Sequence, residues 1–312
     1  MLNGEAASHS DIMGESVLVV RPGALGDTIL TLPLLASIRS RHPSGEITFL
    51  GNSAYRDLLP PGIRFGRVDD PRVSAMFDSG WPPGPAVGPA YDHAYVILKK
   101  PEHVIENLQR SGAGQIRHVS SRVPSGKHIV EHLHEGLGLH VPPRRPALAR
   151  LSPEDEQDLI WVHPGSGGQG KCVGVETMMS AARTARDRTG WRIAVTVGEA
   201  DGFIKEDPYW EQIIQMPEIL VLENRPLLEI CRVLGGARLF LGNDSGISHL
   251  AAGLGIGSVI VYKATDPYQW GPWVALGRVR PLDFRGFASA ALDNKIKGLI
   301  TSSCLDLLEL TS

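Results

Sequence analysis

The sequence has few cysteines, no surplus of positive charge and no long apolar run. Its three cysteines (Cys172, Cys231 and Cys304) lie far apart and form no C-x-x-C pair. This spacing argues against a disulfide framework and against a cysteine-ligated zinc site, and it suits a reducing cytoplasm. The formal net charge is -3, from 31 basic and 34 acidic residues, so no overall positive field favours nucleic acid or anionic lipid as a partner.

No apolar run approaches the roughly 20 residues that a transmembrane helix needs. Residues 1–16 read MLNGEAASHSDIMGES and lack the basic start and apolar core of a secretory signal, so we expect a flexible tail there. A cytoplasmic protein is therefore expected, with at most peripheral contact at the inner face of a membrane.

Alternating strand and helix patterns occur twice along the 312 residues. Apolar strand-like runs lie at 17–20, 47–50, 94–98 and 118–120 in the first round, and at 159–163, 192–198, 219–223, 239–242 and 258–263 in the second. Helical patterns lie at 32–40, 128–138, 175–188, 227–237 and 294–309. The strand-like runs are continuously apolar, which indicates sheets covered on both faces and is typical of parallel α/β folds.

Residues 141–158 are rich in proline and charge and have little periodicity, so they predict a linker. The expected fold class is α/β, with an N-terminal Rossmann-like domain at 17–150 and a C-terminal one at 151–312. The last helix, at 294–309, is able to pack back on the first domain. Two such domains would face each other across a cleft, with ligands at the carboxyl ends of the strands.

The stretch HPGSGGQGKC, residues 163–172, has the glycine and lysine spacing of a Walker A phosphate loop. That motif ends in Ser or Thr because a hydroxyl oxygen must ligate magnesium, and Cys172 supplies a thiol instead. Gly174 also interrupts any helix directly after Lys171. A nucleotide hydrolase is therefore disfavoured. A flexible loop with a surface lysine is one alternative, and a loop that holds a diphosphate without metal is favoured.

A second candidate anion site lies in LGNDSGISHLAAGLG, residues 241–255. A strand precedes a helix here, and Asp244 is well placed to cap that helix. The amides of Ser245 and Gly246 would then lie at the positive end of the helix dipole. Asp244 is expected to cap the helix or bind a ribose, because a carboxylate repels phosphate. A well-capped core helix without a ligand is the alternative.

The loop after the first strand reads VVRPGALGDTILTLP, residues 19–33. Gly23 and Gly26 are spaced G-x-x-G, so the dinucleotide fingerprint is missing and an NAD-dependent enzyme is disfavoured. Asp27 lies where the loop turns into a helix. Its carboxylate is either a helix cap or a general base, and the local sequence does not decide between these roles.

His128, Glu131 and His132 match the zinc-protease motif H-x-x-E-H. Two histidines one helical turn apart can share a metal ion. No third ligand is marked, however, and the surrounding pattern is that of a nucleotide-binding α/β protein. A zinc site is therefore disfavoured.

Taken together, these stretches resemble glycosyltransferase family 9, the ADP-heptose:lipopolysaccharide heptosyltransferases. The similarity runs from about residue 17 to 275 and rests on VLVVRPGALGDTILTLPLLASIRSRHP, WVHPGSGGQGK, DSGISHLAAGLG and ATDPYQWGP. Two departures stand out. The family commonly reads K-x-W-P-x-E where this chain has Lys171-Cys-Val-Gly-Val-Glu176, so the Trp and Pro of the donor loop are missing. The tail after about 280 matches poorly.

The resemblance implies a GT-B fold, with the acceptor bound by the first domain and a nucleotide sugar by the second. It implies inverting transfer without metal or cofactor, from a donor such as ADP-heptose to a glycan or glycolipid such as lipopolysaccharide core. By matching position, Asp27 would be the catalytic base, near an acceptor loop containing Gly23 and Gly26. The implied donor-binding residues are Ser166, Lys171, Asp201, Asp244, Ser245, Gly246 and His249, of which Asp201 is a loose match.

Two other functions fit the same sequence features. A nucleotide-sugar epimerase of the same two-domain shape would have a similar phosphate site, but it would convert the donor with no acceptor present. A non-catalytic binding protein would bind the nucleotide sugar and neither transfer nor hydrolyse it.

Overall fold

A computed structural model describes residues 14–79, 90–153, 157–287 and 293–311. The chain divides into two compact units. The first contains the segment ending at Pro22 together with Leu34–Arg122 and Leu133–His140, and the second contains Gly23–Pro33, Val123–His132 and the chain from Val141 onward. Of the predicted tail, residues 1–13 lie outside the described residues, whereas Ser16 already belongs to the first strand.

The strands are β1 (Ser16–Val20), β2 (Glu46–Gly51), β3 (Ile63–Arg67), β4 (His93–Ile97), β5 (Gln115–Val119), β6 (Gln157–His163), β7 (Arg192–Val197), β8 (Ile219–Glu223), β9 (Ala237–Asn243), β10 (Gly257–Tyr262) and β11 (Val279–Asp283). The helices are α1 (Leu25–Arg41), α2 (Pro71–Ser74), α3 (Glu102–Arg110), α4 (Ile129–Gly136), α5 (Val175–Thr189), α6 (Pro208–Ile214), α7 (Leu227–Gly235), α8 (Gly246–Leu254), α9 (Pro267–Trp270) and α10 (Asp293–Thr311).

The sheet of the first unit has the order β3-β2-β1-β4-β5, and every neighbouring pair is parallel. β1 and β4 are the central strands, and their side chains are almost entirely buried. The strand order reverses between these two strands, which makes their ends the topological switch point of this unit.

The sheet of the second unit has the order β11-β10-β9-β6-β7-β8, again with every pair parallel. Counted from β6, this is the Rossmann order 3-2-1-4-5-6, and its switch point lies between β6 and β9. Helices α5 and α10 pack together in the core of this unit, through side chains such as Met178 and Ile300. The predicted α/β class with two parallel sheets is confirmed.

The segment predicted as a linker is bound to the second unit by backbone and side-chain contacts. The Leu148 side chain is buried, and its amide donates to the Gly253 carbonyl of α8 at 2.8 Å. The Ser152 hydroxyl donates to the Leu254 carbonyl at 2.9 Å. Among the described helices, none combines the length and apolar character that crossing a bilayer requires.

Candidate functional site

The switch point of the second sheet brings two loops together at the carboxyl ends of β6 and β9. Asn243, the last residue of β9, is fully buried and bonds to both ends of the loop at residues 164–174, called here the glycine loop. Its side-chain amide donates to the Pro164 carbonyl at 2.7 Å, and its side-chain oxygen accepts from the Val173 amide at 2.9 Å. One asparagine therefore fixes the glycine loop against the start of α8.

Ser166 adds a third connection, because its buried hydroxyl donates to the Asp244 carbonyl at 2.6 Å. The glycine loop forms a single 3-10 turn at Gln169–Lys171, and no α-helix begins before Val175. A Walker A loop feeds directly into a helix, so this geometry is not that of a P-loop nucleotidase. The predicted interruption of the helix after Lys171 is confirmed.

The polar groups of the glycine loop favour an anionic ligand over a metal ion. The half-buried Lys171 ammonium makes no hydrogen bond or ion pair with any described residue. Burial raises the pKa of the neighbouring Cys172 thiol to about 11, so the sulfur stays protonated at neutral pH. The Lys263 ammonium donates to the Cys172 carbonyl at 2.9 Å. Two cations therefore lie along one short loop.

Helix α8 is capped by Ser245, so the prediction that Asp244 is the cap is wrong. The Ser245 side chain accepts from the Ser248 amide at 3.3 Å, which is the usual geometry of a serine cap. The amides of Ser245 and Gly246 donate to no described residue. They are the unsatisfied donors that a helix N-terminus offers to an anion.

Asp244 instead lies beside the N-terminus of α8, and each of its two carboxylate oxygens has a neighbouring side chain. The Thr265 hydroxyl donates to one carboxylate oxygen, and the other lies 4.0 Å from Nε2 of His249. Its amide donates to the Val261 carbonyl at 2.9 Å. These contacts hold the carboxylate in one position beside the amides of α8.

Helix α1 begins seven residues before the predicted start, at Leu25, and this places Asp27 in its first turn. The Asp27 carboxylate reaches back and accepts from the Ala24 amide at 3.2 Å, as an acidic residue at the third helical position often does. A side chain at Gly23 would lie 2.6 Å from the Asp27 Cβ. Glycine at position 23 therefore allows the loop to fold closely over this carboxylate.

The first turn of α1 lies directly against the first turn of α8. A Cβ added at Gly246 would lie 2.7 Å from the Leu25 Cβ, and one added at Gly26 would lie 3.0 Å from Cδ2 of His249. Glycine occupies both positions where the helices meet. Two positive helix ends are thereby brought together, and Asp27 lies at the same place.

His249 connects the two helix ends electrostatically. Its ring is buried, and its Nδ1 has no hydrogen-bond partner among the described residues. Burial lowers the pKa of His249, while the negative charges of Asp244 and Asp27 act to raise this pKa. A neutral imidazole with an unused nitrogen therefore lies between two carboxylates.

Asp201 is turned inward, away from solvent. Its carboxylate accepts from the Gly198 amide at 3.0 Å and lies 3.8 Å from Nε2 of the buried His163. A side chain at Gly165 would lie 2.2 Å from this carboxyl group, so Asp201 packs directly on the glycine loop. The acidic side chain that remains exposed after β7 is Glu199, which makes no hydrogen bond or ion pair within the described residues.

A cavity of about 440 Å³ adjoins the glycine loop. One wall is formed by Cys172, Val173 and Val175, and the facing wall by Phe203 and the chain that follows it. The cavity lies beyond the carboxyl ends of β6 and β7, where parallel α/β sheets bind ligands. Its volume falls in the range of small-molecule pockets.

His128 has a structural role, which agrees with the sequence reasoning against zinc. Its Nε2 donates to the Gly271 carbonyl at 2.8 Å, and its Nδ1 accepts from the Val130 amide at 3.1 Å. Burial lowers the pKa of His128 to about 4, so the ring is neutral. Both ring nitrogens are therefore occupied by backbone groups.

Residues 155–280, which include the glycine loop and α8, match glycosyltransferase family 9 (heptosyltransferase). This segment is a glycosyltransferase family 9 domain. The chain that carries it is a glycosyltransferase. No curated protein matches the chain in sequence.

Solved structures of heptosyltransferases share the fold of this chain. E. coli heptosyltransferase WaaC with ADP is 19% identical, with a TM-score of 0.65 over 92% of this chain and 99% of that one. E. coli ADP-heptose lps heptosyltransferase II is 14% identical, with a TM-score of 0.65 over 93% and 99%. The dodecameric iron-containing heptosyltransferase TibC of E. coli, in complex with ADP-D-beta-D-heptose, is 17% identical, with a TM-score of 0.57 over 96% and 76%. The fold is therefore GT-B.

The contact between the first turns of α1 and α8 leads to a prediction about stability. Gly246→Ala is expected to lower the free energy of unfolding by about 1–3 kcal/mol, because the added methyl group meets Leu25 and forces the helices apart. Urea unfolding measures this change. Gly167→Ala is the matched control, since nothing lies within 4 Å of a Cβ at that position, and it should change stability by less than about 0.5 kcal/mol. Equal stability of the two variants would contradict the contact.

Proposed function

We propose that this glycosyltransferase moves a heptose-like sugar from a nucleotide diphosphate sugar, with ADP-heptose as the candidate donor, to a glycan or glycolipid such as lipopolysaccharide core. The transfer inverts the anomeric centre and needs no metal ion. The observation that carries the proposal is the contact between the first turns of α1 and α8, with Asp27 beside His249. ADP and ADP-D-beta-D-heptose, with which two of the related structures were solved, agree with this donor class. A glycolipid acceptor would bring the enzyme to the cytoplasmic face of the inner membrane.

The diphosphate of the donor binds at the start of α8 in this proposal. The amides of Ser245 and Gly246 donate to phosphate oxygens, and the helix dipole adds positive potential at the same place. Lys171 contributes the compensating charge from the glycine loop. Ser166 acts as a positioning residue, because its hydroxyl holds that loop to the Asp244 carbonyl.

Asp244 would repel a diphosphate if its carboxylate faced it, by about 4 kcal/mol for one charge pair near 4 Å at an effective dielectric of 20. The bond from Thr265 and the nearby ring of His249 give the carboxylate other neighbours. We therefore assign Asp244 and His249 to the sugar side of the donor site. There the buried ring of His249, whose Nε2 lies 4.0 Å from the Asp244 carboxylate, acts as a positioning residue for Asp244.

The nucleoside occupies the cavity of about 440 Å³ beside the glycine loop. Asp201 stabilises the glycine loop beside this pocket, because its carboxylate accepts from the Gly198 amide and packs on Gly165. It holds the loop, and the exposed Glu199, just after β7, is the residue we assign to accept from the ribose hydroxyls. The proposal therefore keeps an acidic residue after β7 in the donor site, but it assigns the contact with the ribose to Glu199 instead of Asp201.

Asp27 is the general base for the acceptor. Inverting transfer requires the acceptor hydroxyl to attack the anomeric carbon from the side opposite the leaving diphosphate. The carboxylate takes the hydroxyl proton as the new glycosidic bond forms and the bond to the diphosphate breaks. The bond from the Ala24 amide orients the carboxylate before the acceptor binds.

The leaving diphosphate gains negative charge as its bond to the sugar breaks. Lys171 and the α8 amides stabilise that charge from fixed positions, which is the role a divalent cation has in other transferases.

A chelator should therefore leave turnover unchanged. Loss of activity in EDTA, with recovery on adding a metal ion, would contradict the metal-free mechanism.

The experiment that tests the function is a thermal-shift screen against nucleoside diphosphates and their sugars, followed by a turnover assay with the donor that binds best. A bound ligand raises the melting temperature by mass action. Transfer only when an acceptor is added, with inversion at the anomeric carbon, supports the proposal. Conversion of the donor alone would identify an epimerase instead, and binding without any turnover would identify a binding protein.

A further inference from the structure

A second cluster of chemically active side chains lies in the first unit, at the amino ends of β1 and β4. Glu15 immediately precedes β1, His93 is the first residue of β4, and His42 immediately follows α1. The parallel register pairs His93 with Val17, so the start of β4 lies beside the start of β1. The ligands of α/β sheets bind at the opposite, carboxyl edge, so the proposed transfer reaction does not use this cluster.

The three side chains point toward one another. Oε2 of Glu15 lies 2.5 Å from Nδ1 of His42, and Oε1 lies 3.4 Å from Nε2 of His93. The two imidazole rings are 4.5 Å apart between centroids. Within the part of the chain that the structure describes, this is the one group of three such residues whose ligand atoms all lie within 4.8 Å of one another.

Two histidines and one carboxylate form a ligand set for a borderline transition metal such as Zn²⁺. Tetrahedral zinc with bonds of about 2.0–2.2 Å places its ligand atoms roughly 3.3–3.5 Å apart. The separation between Glu15 and His93 already has this value. Rotation of the Glu15 carboxylate, which is 53% exposed, lengthens the shorter approach to His42, and the ligand nitrogens of His42 and His93 lie within 4.8 Å of each other.

The neighbouring Tyr95 supports the role of His42 as a metal ligand. Tyr95 is buried, and its hydroxyl lies 2.9 Å from Nε2 of His42. When Nε2 carries the proton and donates it to the tyrosine oxygen, the Nδ1 lone pair faces Glu15. Metal-bound histidines commonly have such a partner on the second nitrogen, because it fixes the ring and its tautomer.

We propose that Glu15, His42 and His93 bind one divalent transition-metal ion, with Zn²⁺ as the ion to test, at a site separate from the donor site. The ion joins the end of α1 to the starts of β1 and β4. Water fills the fourth coordination position, because three protein ligands leave one position of a tetrahedral ion open.

Zinc titration of the chelator-treated full chain by calorimetry tests this proposal, with cobalt absorption as a second readout. We expect one equivalent of Zn²⁺ to bind and cobalt to give visible bands of a four-coordinate ion. Glu15→Gln and His93→Ala should each weaken zinc binding by at least about 10-fold. Zinc should also raise the melting temperature of the wild type, and not that of His93→Ala.

His103→Ala is the matched control. His103 is exposed and lies 3.8 Å from Glu106, so it is a histidine–carboxylate pair without a third ligand. Its loss should leave zinc affinity unchanged. Glu15→Gln keeps an oxygen that can accept from His42, and so it should fold even if His93→Ala does not. Absence of saturable zinc binding by the wild type, or wild-type affinity in Glu15→Gln, would overturn the proposal.

Discussion

Asp27→Asn is expected to lower turnover by about 10²–10⁴-fold, the usual contribution of a positioned general base. The amide cannot take the proton of the acceptor hydroxyl. Its oxygen can still accept from the Ala24 amide, which the native carboxylate does at 3.2 Å, so the first turn of α1 should be kept. The dissociation constant of the donor should therefore change little while kcat falls.

Steady-state kinetics and donor binding by calorimetry, measured on the same preparation, check this prediction. Asp70→Asn is the matched control, because Asp70 also bonds to a backbone amide at a helix start, that of Arg72 at 2.9 Å. That variant should keep wild-type turnover. If Asp27→Asn weakened donor binding as much as turnover, Asp27 would be a structural residue that holds the two helix starts in place.

The buried strands and the edge strands β5 and β8 were predictable from sequence, whereas the edge strands β3 and β11 were not. β1, β6, β9 and β10 are nearly or fully buried along most of their length, so they appear as continuous apolar runs. β3 and β11 each pair with one neighbour only, and exposed residues interrupt them. β11 even contains Pro281, which is tolerated at an edge because one side of the strand needs no donor.

The helix starts were less predictable than the helices themselves. Asp244 and Ser245 are both good capping residues, but Ser245 caps α8 while the Asp244 carboxylate accepts from Thr265, a tertiary contact that the local sequence does not reveal. The early start of α1 was missed because Gly26 weakens the helical pattern. That glycine is required by the contact with His249, which no local pattern reveals.

The same limit applies to the candidate site. The sequence motifs identified the glycine loop and the start of α8, but not the bonds between them, because Asn243 looked like an ordinary strand end. Lys263 was missed as well, although a cation at the carboxyl end of an apolar strand was a usable signal. The inward turn of Asp201 depends on Gly165 and His163, which are distant in sequence.

Lys171→Ala is expected to weaken binding of a nucleoside diphosphate such as ADP by about 10- to 100-fold. A hydrogen bond to a charged group contributes about 1.5–3 kcal/mol, and about 1.4 kcal/mol corresponds to a factor of ten. The Lys171 ammonium has no partner among the described residues, so its removal breaks no bond within the chain. The stability of the protein without ligand should therefore stay close to that of the wild type.

Calorimetric titration with ADP and with adenosine separates the diphosphate contribution from that of the base and ribose. Lys171→Ala should bind ADP more weakly and adenosine unchanged, and Lys171→Arg should recover part of the lost affinity because it restores the charge. Lys205→Ala is the control, since Lys205 forms a surface ion pair with Glu223 at 2.6 Å and such pairs contribute little. The difference in ADP affinity between wild type and Lys171→Ala should also shrink at high salt, because ions screen the attraction. Unchanged ADP affinity in Lys171→Ala would remove this lysine from the phosphate site and leave the start of α8, with Lys263 behind the glycine loop, as the source of positive charge.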